Sequence, residues 1–139
     1  MKKIHSGFTL IEIMIVVIII ASLAALVVPR LSGRSEQAKE TIAQADINSS
    51  ITLALKLYQL DNGKFPGTDQ GLGALVSKPS TGNVPANWKE PYLDTIPVDP
   101  WGSPYQYKSP GTHNPSSFDL YSFGSDGVEG TPDDIKNWK

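Results

Sequence analysis

Residues 8–28 read FTLIEIMIVVIIIASLAALVV, an apolar run in which Glu12 is the single charged side chain. As a helix rising about 1.5 Å per residue, the run spans roughly 30 Å, the thickness of a bilayer's hydrocarbon core. A helix buried in a small domain keeps a polar face for solvent, and this one has none. The stretch therefore predicts a membrane-spanning helix. Before it stands Met1-Lys2-Lys3-Ile4-His5-Ser6-Gly7, a short basic leader. A secretory signal has a shorter apolar core ending in a small-x-small cleavage site. Ala21, Ala24 and Ala25 offer small residues for such a site, but the apolar run continues past them to Val28. Lys2 and Lys3 favour a cytoplasmic N-terminus, an asymmetry that Arg30 and Arg34 on the far side reduce.

Downstream of the run, Pro29 lacks the N–H that would bond the carbonyl of Ala25, and is expected to weaken or bend the helix there. From Leu31 to about Leu60 the pattern turns amphipathic. Ile47, Ile51, Ala54, Leu55 and Tyr58 recur at helical spacing, and Leu53, Leu57 and Leu60 widen the stripe. Glu36, Lys39, Glu40 and Gln44 mark the start of this segment as solvated. Asp61-Asn62-Gly63 supplies the exit, with glycine suited to a left-handed cap. The expected object is one long helix, apolar at one end and packed against a small domain at the other.

The prolines and glycines gather mostly after residue 60, so the mean hydropathy of −0.19 averages two unlike halves. In the second half Tyr105-Gln106-Tyr107 and Phe118-Asp119-Leu120-Tyr121-Ser122-Phe123 read as short strands. The latter alternates at period two, as a half-buried strand does. The fold class is α+β, with the long helix packed on a small antiparallel sheet of two to four strands. Asp99-Pro100-Trp101-Gly102 reads as a turn carrying one large apolar anchor.

Composition narrows the function. A chain of 139 residues supports one domain with a modest core, and a net charge of −2 offers no basic surface for nucleic acid. There is no cysteine, which excludes disulfides, thiolate zinc sites and thiol redox chemistry. His5 lies in the leader and His113 in a Pro-Gly-Thr-His-Asn-Pro loop, neither in a catalytic motif. Gly71-Leu72-Gly73 is too short to cradle a phosphate, and no serine sits in a Gly-x-Ser-x-Gly elbow. No enzyme is expected.

Two features leave alternatives open on residues alone. Glu12 sits one turn from the membrane edge, where a carboxylate is expensive. It either snorkels or stays neutral, or it pairs with an amine on a neighbouring subunit. The second feature is Gly124-Ser125-Asp126-Gly127-Val128-Glu129-Gly130-Thr131-Pro132-Asp133-Asp134. Acidic loops of this kind are commonly just solvated. Calcium, however, takes six to eight oxygens from carboxylates and carbonyls on a tightly folded loop. The spacing is not that of an EF-hand, and an oxygen-only set disfavours zinc and copper.

Gly7-Phe8-Thr9-Leu10-Ile11-Glu12, with the leader before it and the apolar run after it, resembles the class III signal of type IV pilins and their relatives. The stretch from Tyr58 to Leu75, the Asp99-Pro100-Trp101-Gly102 turn and the acidic C-terminal loop are similar to those of the major pseudopilins of type II secretion. Ala21 departs from this pattern, in which glycine is common. The resemblance implies a pilin-like fold in four parts: leader 1–7, membrane and filament-core helix 8–28, amphipathic continuation 29–62 and periplasmic domain 63–139. It implies cleavage by a prepilin peptidase between Gly7 and Phe8, methylation of Phe8, and pairing of Glu12 with the Phe8 amine of the next subunit. Removing Lys2 and Lys3 takes the 12 basic residues to about 10 against 14 acidic ones, a mature charge of about −4. It further implies calcium held by Asp126, Asp133 and Asp134 with the backbone carbonyls of Phe123 and Val128, Glu129 remaining exposed. The implied partners are copies of the same chain, minor pseudopilins and an inner-membrane secretion platform. A type IV pilin for adhesion, motility or DNA uptake is the alternative, and an uncleaved single-span periplasmic binding protein a third reading.

Overall fold

The computed structural model describes residues 7–89 and 91–139, so the expectations for Lys2, Lys3 and His5 lie outside the described residues. The first helix, α1, covers Leu10–Ala45 and continues through Pro29. A π-helical turn, Asp46–Ser50, follows, and α2 covers Ile51–Asn62. The uninterrupted α-helix expected to Leu60 is thus broken by one wider turn, and the spacing of core residues gives the reason. Ala43, Ile47 and Ile51 are all fully buried and lie four apart. On an α-helix of 3.6 residues per turn a four-residue step drifts by about 40°. The wider π turn takes up that drift and keeps all three facing the core. Thr52 is drawn into the same turn, its hydroxyl donating to the carbonyl of Ile47 at 2.6 Å.

The helix ends as expected: Gly63 takes φ +77°, and its N–H donates to the carbonyl of Gln59 at 2.7 Å. A left-handed residue at this position is cheap only for glycine. The stripe expectation holds for Ile47, Ile51, Ala54, Leu55 and Tyr58, which are buried. It fails for Leu53, Leu57 and Leu60, which are 60%, 44% and 80% exposed. These three lie on the flank of α2 that the domain does not cover.

Compaction divides the chain into two units, one ending at Gln37 and one running Ala38–Lys139. In the second unit a short 3-10 helix, Leu72–Leu75, and three strands complete the core. The strands are β1 (Gln106–Lys108), β2 (Asp119–Ser122) and β3 (Ile135–Lys136), antiparallel in the order β1-β2-β3. Tyr107 faces Leu120 and Ser122 faces Ile135 across the ladders. Leu55, Leu75, Leu120, Tyr58 and Phe118 meet in one cluster, against which Trp88, Tyr92 and Trp101 pack from the side. Each fully buried aliphatic side chain contributes about 1.5–3 kcal/mol.

Strand β2 differs from the half-solvated strand that its alternation suggested. Asp119 and Ser122 are 3% and 0% exposed, so both faces are covered. A buried carboxylate needs donors, and the loop before β2 supplies them. Asp119 accepts the backbone N–H groups of Thr112, His113 and Asn114 at 2.7–2.9 Å, and the His113 ring nitrogen lies 3.1 Å away. Burial alone would push this carboxyl up, but the N–H groups of His113 and Asn114 outweigh it and hold it below the usual range. The Pro-Gly-Thr-His-Asn-Pro loop is therefore a wrapping for one buried charge, and the ring of His113 stacks on Trp138 with centroids 4.2 Å apart.

Candidate functional site

The start of α1 is built by local hydrogen bonding. Thr9 donates its N–H and its hydroxyl to Oε2 of Glu12, at 2.8 and 2.9 Å. Glu12 returns its own N–H to the Thr9 hydroxyl at 3.3 Å. This is a capping box, in which a threonine and a glutamate three residues on satisfy each other's free helix-end groups. Both residues are exposed, as is Phe8 at 83%. The Thr-x-x-Glu spacing that signals this box is present in the sequence, and it gives Glu12 a partner within its own chain. The following residues Leu10–Val27 have a mean hydropathy of 3.0 and none of them is buried by the protein. Among the described residues this is the one helix long and apolar enough to cross a membrane.

The acidic loop lies between β2 and β3 and is curled by three glycines at positive φ, Gly124, Gly127 and Gly130. Gly124 is required at its place, because a Cβ there would run into the carbonyl and carboxylate of Asp133. Asp133 closes the loop from the far end. Its Oδ2 accepts the N–H groups of Ser125 and Asp126 at 2.8 and 3.1 Å, and its Oδ1 accepts the Thr131 hydroxyl at 2.6 Å. The Thr131 hydroxyl and the Asp126 N–H hold this carboxyl well below the usual carboxylate range. Asp126 turns its Oδ1 onto the N–H of Val128 at 2.8 Å. Asp134 accepts the N–H of Gly130 on Oδ2 at 2.8 Å, with the Lys136 ammonium 3.8 Å from the same oxygen. Glu129 is exposed and accepts the hydroxyl of Tyr121 at 2.8 Å; burial and this bond push Tyr121 up to about 12.

The structure thus brings Asp126 and Asp133 together through a backbone bond, but it does not converge the carboxylates. Among the described residues no three acidic or histidine side chains gather around a common point. Phe123 is half-buried, and the carbonyl of Val128 accepts the Thr131 hydroxyl at 3.1 Å. One observation nevertheless fits a hard cation. The Asp134 side chain is 4% exposed, and its Oδ1 is buried without a hydrogen-bond partner. A buried carboxylate oxygen left unpaired is costly. An all-oxygen set on a glycine-curled loop matches the chemistry of calcium.

Two family models match the chain, one at its start and one over the rest. A model of the prokaryotic N-terminal methylation motif matches residues 2–28. A model described as type II secretion system (T2SS), protein G, matches residues 30–138, and the chain belongs to that family. The type II secretion system core protein G of Pseudomonas aeruginosa is 56% identical, over 99% of this chain and 97% of its own. The core protein G of Vibrio cholerae is 47% identical, over 99% and 96%. The crystal structure of the major pseudopilin from the type 2 secretion system of enterohaemorrhagic Escherichia coli is similar, with a TM-score of 0.69 and 40% identity. That match covers 78% of this chain and 89% of the other. These relatives support the secretion reading and not the type IV pilin alternative.

Proposed function

We propose that this chain is the major structural subunit of a type II secretion pseudopilus, a helical filament that moves folded exoproteins from the periplasm through the outer membrane. The observation that carries the proposal is an apolar helix wholly uncovered by its own chain, opening on a lone carboxylate. Such a surface needs lipid before assembly and neighbouring helices after it. In this reading a prepilin peptidase cuts between Gly7 and Phe8 and Phe8 is methylated. The new amine then meets Glu12 of a neighbouring copy. Oε2 of Glu12 is engaged by Thr9, and Oε1 would take that amine. The unit from Ala38 onward lies in the periplasm, and the chain works with an inner-membrane platform and minor pseudopilins. Its role is structural, with no catalysis of its own. Replacing Glu12 by Gln tests this: exoprotein release and filament formation should fall to background while the precursor is still cleaved. Intact export by Glu12→Gln cells would refute the assembly role.

The second part of the proposal concerns the acidic loop. Asp126, Asp133 and Asp134, with the carbonyls of Phe123 and Val128, would hold calcium. Bound there, the ion would draw the loop's carboxylates together and tie down a loop with little apolar contact. For the mature chain in detergent micelles, calcium should raise the thermal midpoint and Asp126→Ala should abolish the rise. A midpoint indifferent to calcium and to chelator would remove this part and leave the filament role standing.

A further inference from the structure

Asp99 is 2% exposed and belongs to neither site described above. Its Oδ1 accepts the N–H groups of Trp101 and Ser103 at 3.1 and 2.8 Å, closing the turn that carries Trp101. Its Oδ2 accepts the hydroxyl of Ser122 at 2.6 Å. Ser122 is 0% exposed at the end of β2, and its oxygen in turn accepts the N–H of Gly124 at 3.1 Å. Gly124, at φ +68°, is the residue against which Asp133 packs. A continuous chain of contacts therefore runs from Asp99 through Ser122 and Gly124 to Asp133.

We propose that Asp99 is a positioning residue for the cation loop, acting through Ser122 on the loop's first residue. The inference rests on the calcium reading and adds to it a residue more than twenty positions from the loop. The polarity of the relay is set by chemistry. A carboxylate only accepts, so the single proton of Ser122 must point to Asp99, and the oxygen's lone pairs are left for the Gly124 N–H. That bond fixes where the backbone enters the loop, and with it the Phe123 carbonyl and the face that Gly124 offers Asp133. Asparagine has the same shape but the wrong polarity. Its NH2 group must face either the N–H groups of Trp101 and Ser103 or the Ser122 oxygen. In the first case donors face donors. In the second the hydroxyl proton loses its acceptor, and the amide becomes a second donor onto the oxygen that accepts Gly124. Either way one buried link is lost without a change of volume.

The test is calorimetric titration of calcium chloride into the mature full-length chain in detergent micelles, with thermal midpoints measured in calcium and in chelator. Asp99→Asn and Ser122→Ala should each weaken calcium binding ten-fold or more and shrink the calcium-induced rise in midpoint. Leu55→Val, a core change that removes none of the relay's hydrogen bonds, should lower both midpoints and leave calcium affinity at the wild-type value. Unchanged affinity in Asp99→Asn, with equal midpoint losses in calcium and chelator, would make Asp99 a stabilising turn residue only and overturn the proposal. If Ser122→Ala does not fold, Asp99→Asn carries the test. If neither folds, amide exchange in the wild type decides. The Gly124 N–H should be slowed relative to Ser125 when calcium is added, and no change there also overturns the proposal. A wild type that binds no calcium instead removes the cation reading, and this inference with it.

Discussion

Ile47, Leu55 and Leu120 are enclosed by their own chain, whereas Ile18, Ile20 and Leu23 remain 61%, 61% and 60% exposed. The residue types are alike, and the difference lies in what surrounds them. From Ala38 onward, helix, strands and loops fold back to cover the apolar stripe, so burial there is an internal matter and stabilises the fold. Along Leu10–Val27 no side chain is buried among the described residues, so burial there has to come from lipid or other copies. Substitutions in the first region should act on stability, and those in the second on anchoring and assembly.

The largest effect should come from the core. Ile47→Ala and Leu55→Ala each remove a fully buried aliphatic side chain and should lower unfolding free energy by about 2–5 kcal/mol. Ile18→Ala should change it by less than about 0.5 kcal/mol. All the tryptophans (Trp88, Trp101 and Trp138) lie after Ala38, so their fluorescence during denaturant unfolding in micelles reads the domain alone. Comparable losses for Ile18→Ala and Leu55→Ala would erase the contrast.

Gly124→Ala should come next. A side chain at φ +68° is strained by roughly 1–2 kcal/mol, and here it also meets the Asp133 carbonyl. The same denaturation experiment should show a loss of at least that size. An unaffected protein would mean that the loop does not approach Asp133 as described.

A smaller effect should follow from pH. Asp133 titrates in the fold below its unfolded value of about 3.9, so its stabilising contribution is fully present above that value and is lost as pH falls from there through the lower folded value. The thermal midpoint, measured in chelator, should therefore drop below about pH 4, and Asp133→Asn should flatten that drop. An equally steep drop in the variant would place the acid sensitivity in other carboxylates, with Asp119 the first to examine.

The smallest effect sharpens the boundary between the regions. Leu60 is 80% exposed although it lies on α2, so Leu60→Asn should shift stability by no more than about 0.5 kcal/mol. A loss of several kcal/mol would return Leu60 to the core stripe that the sequence suggested.

Much of the fold was readable because it rests on periodicity and on chemistry with few solutions. The apolar run, the stripe from Ile47 to Tyr58 and the glycine that ends α2 each have one good structural answer. Less legible were features that depend on three-dimensional wrapping. Hydropathy could not show that Leu53 and Leu57 face away, because a stripe's width does not say how much of it a small domain can cover. Nor could alternation show that Asp119 and Ser122 are buried, since polar residues on a strand ordinarily mark the wet face. Their partners come from outside the strand, from the preceding loop at Thr112–Asn114 and from the more distant turn at Asp99. The candidate site divides in the same way. The residue set of the acidic loop was plain from composition, but the use of its carboxylates as caps on backbone N–H groups is a property of the folded loop.

The proposed assembly requires the apolar helix to begin a mature chain at a freshly made amine, close to the one carboxylate in its span. N-terminal sequencing by mass spectrometry of the protein extracted from membranes tests this most directly. The expected result is a chain starting at N-methylated Phe8. A chain still starting at Met1, or one cut after the Ala21–Ala25 stretch, would contradict it.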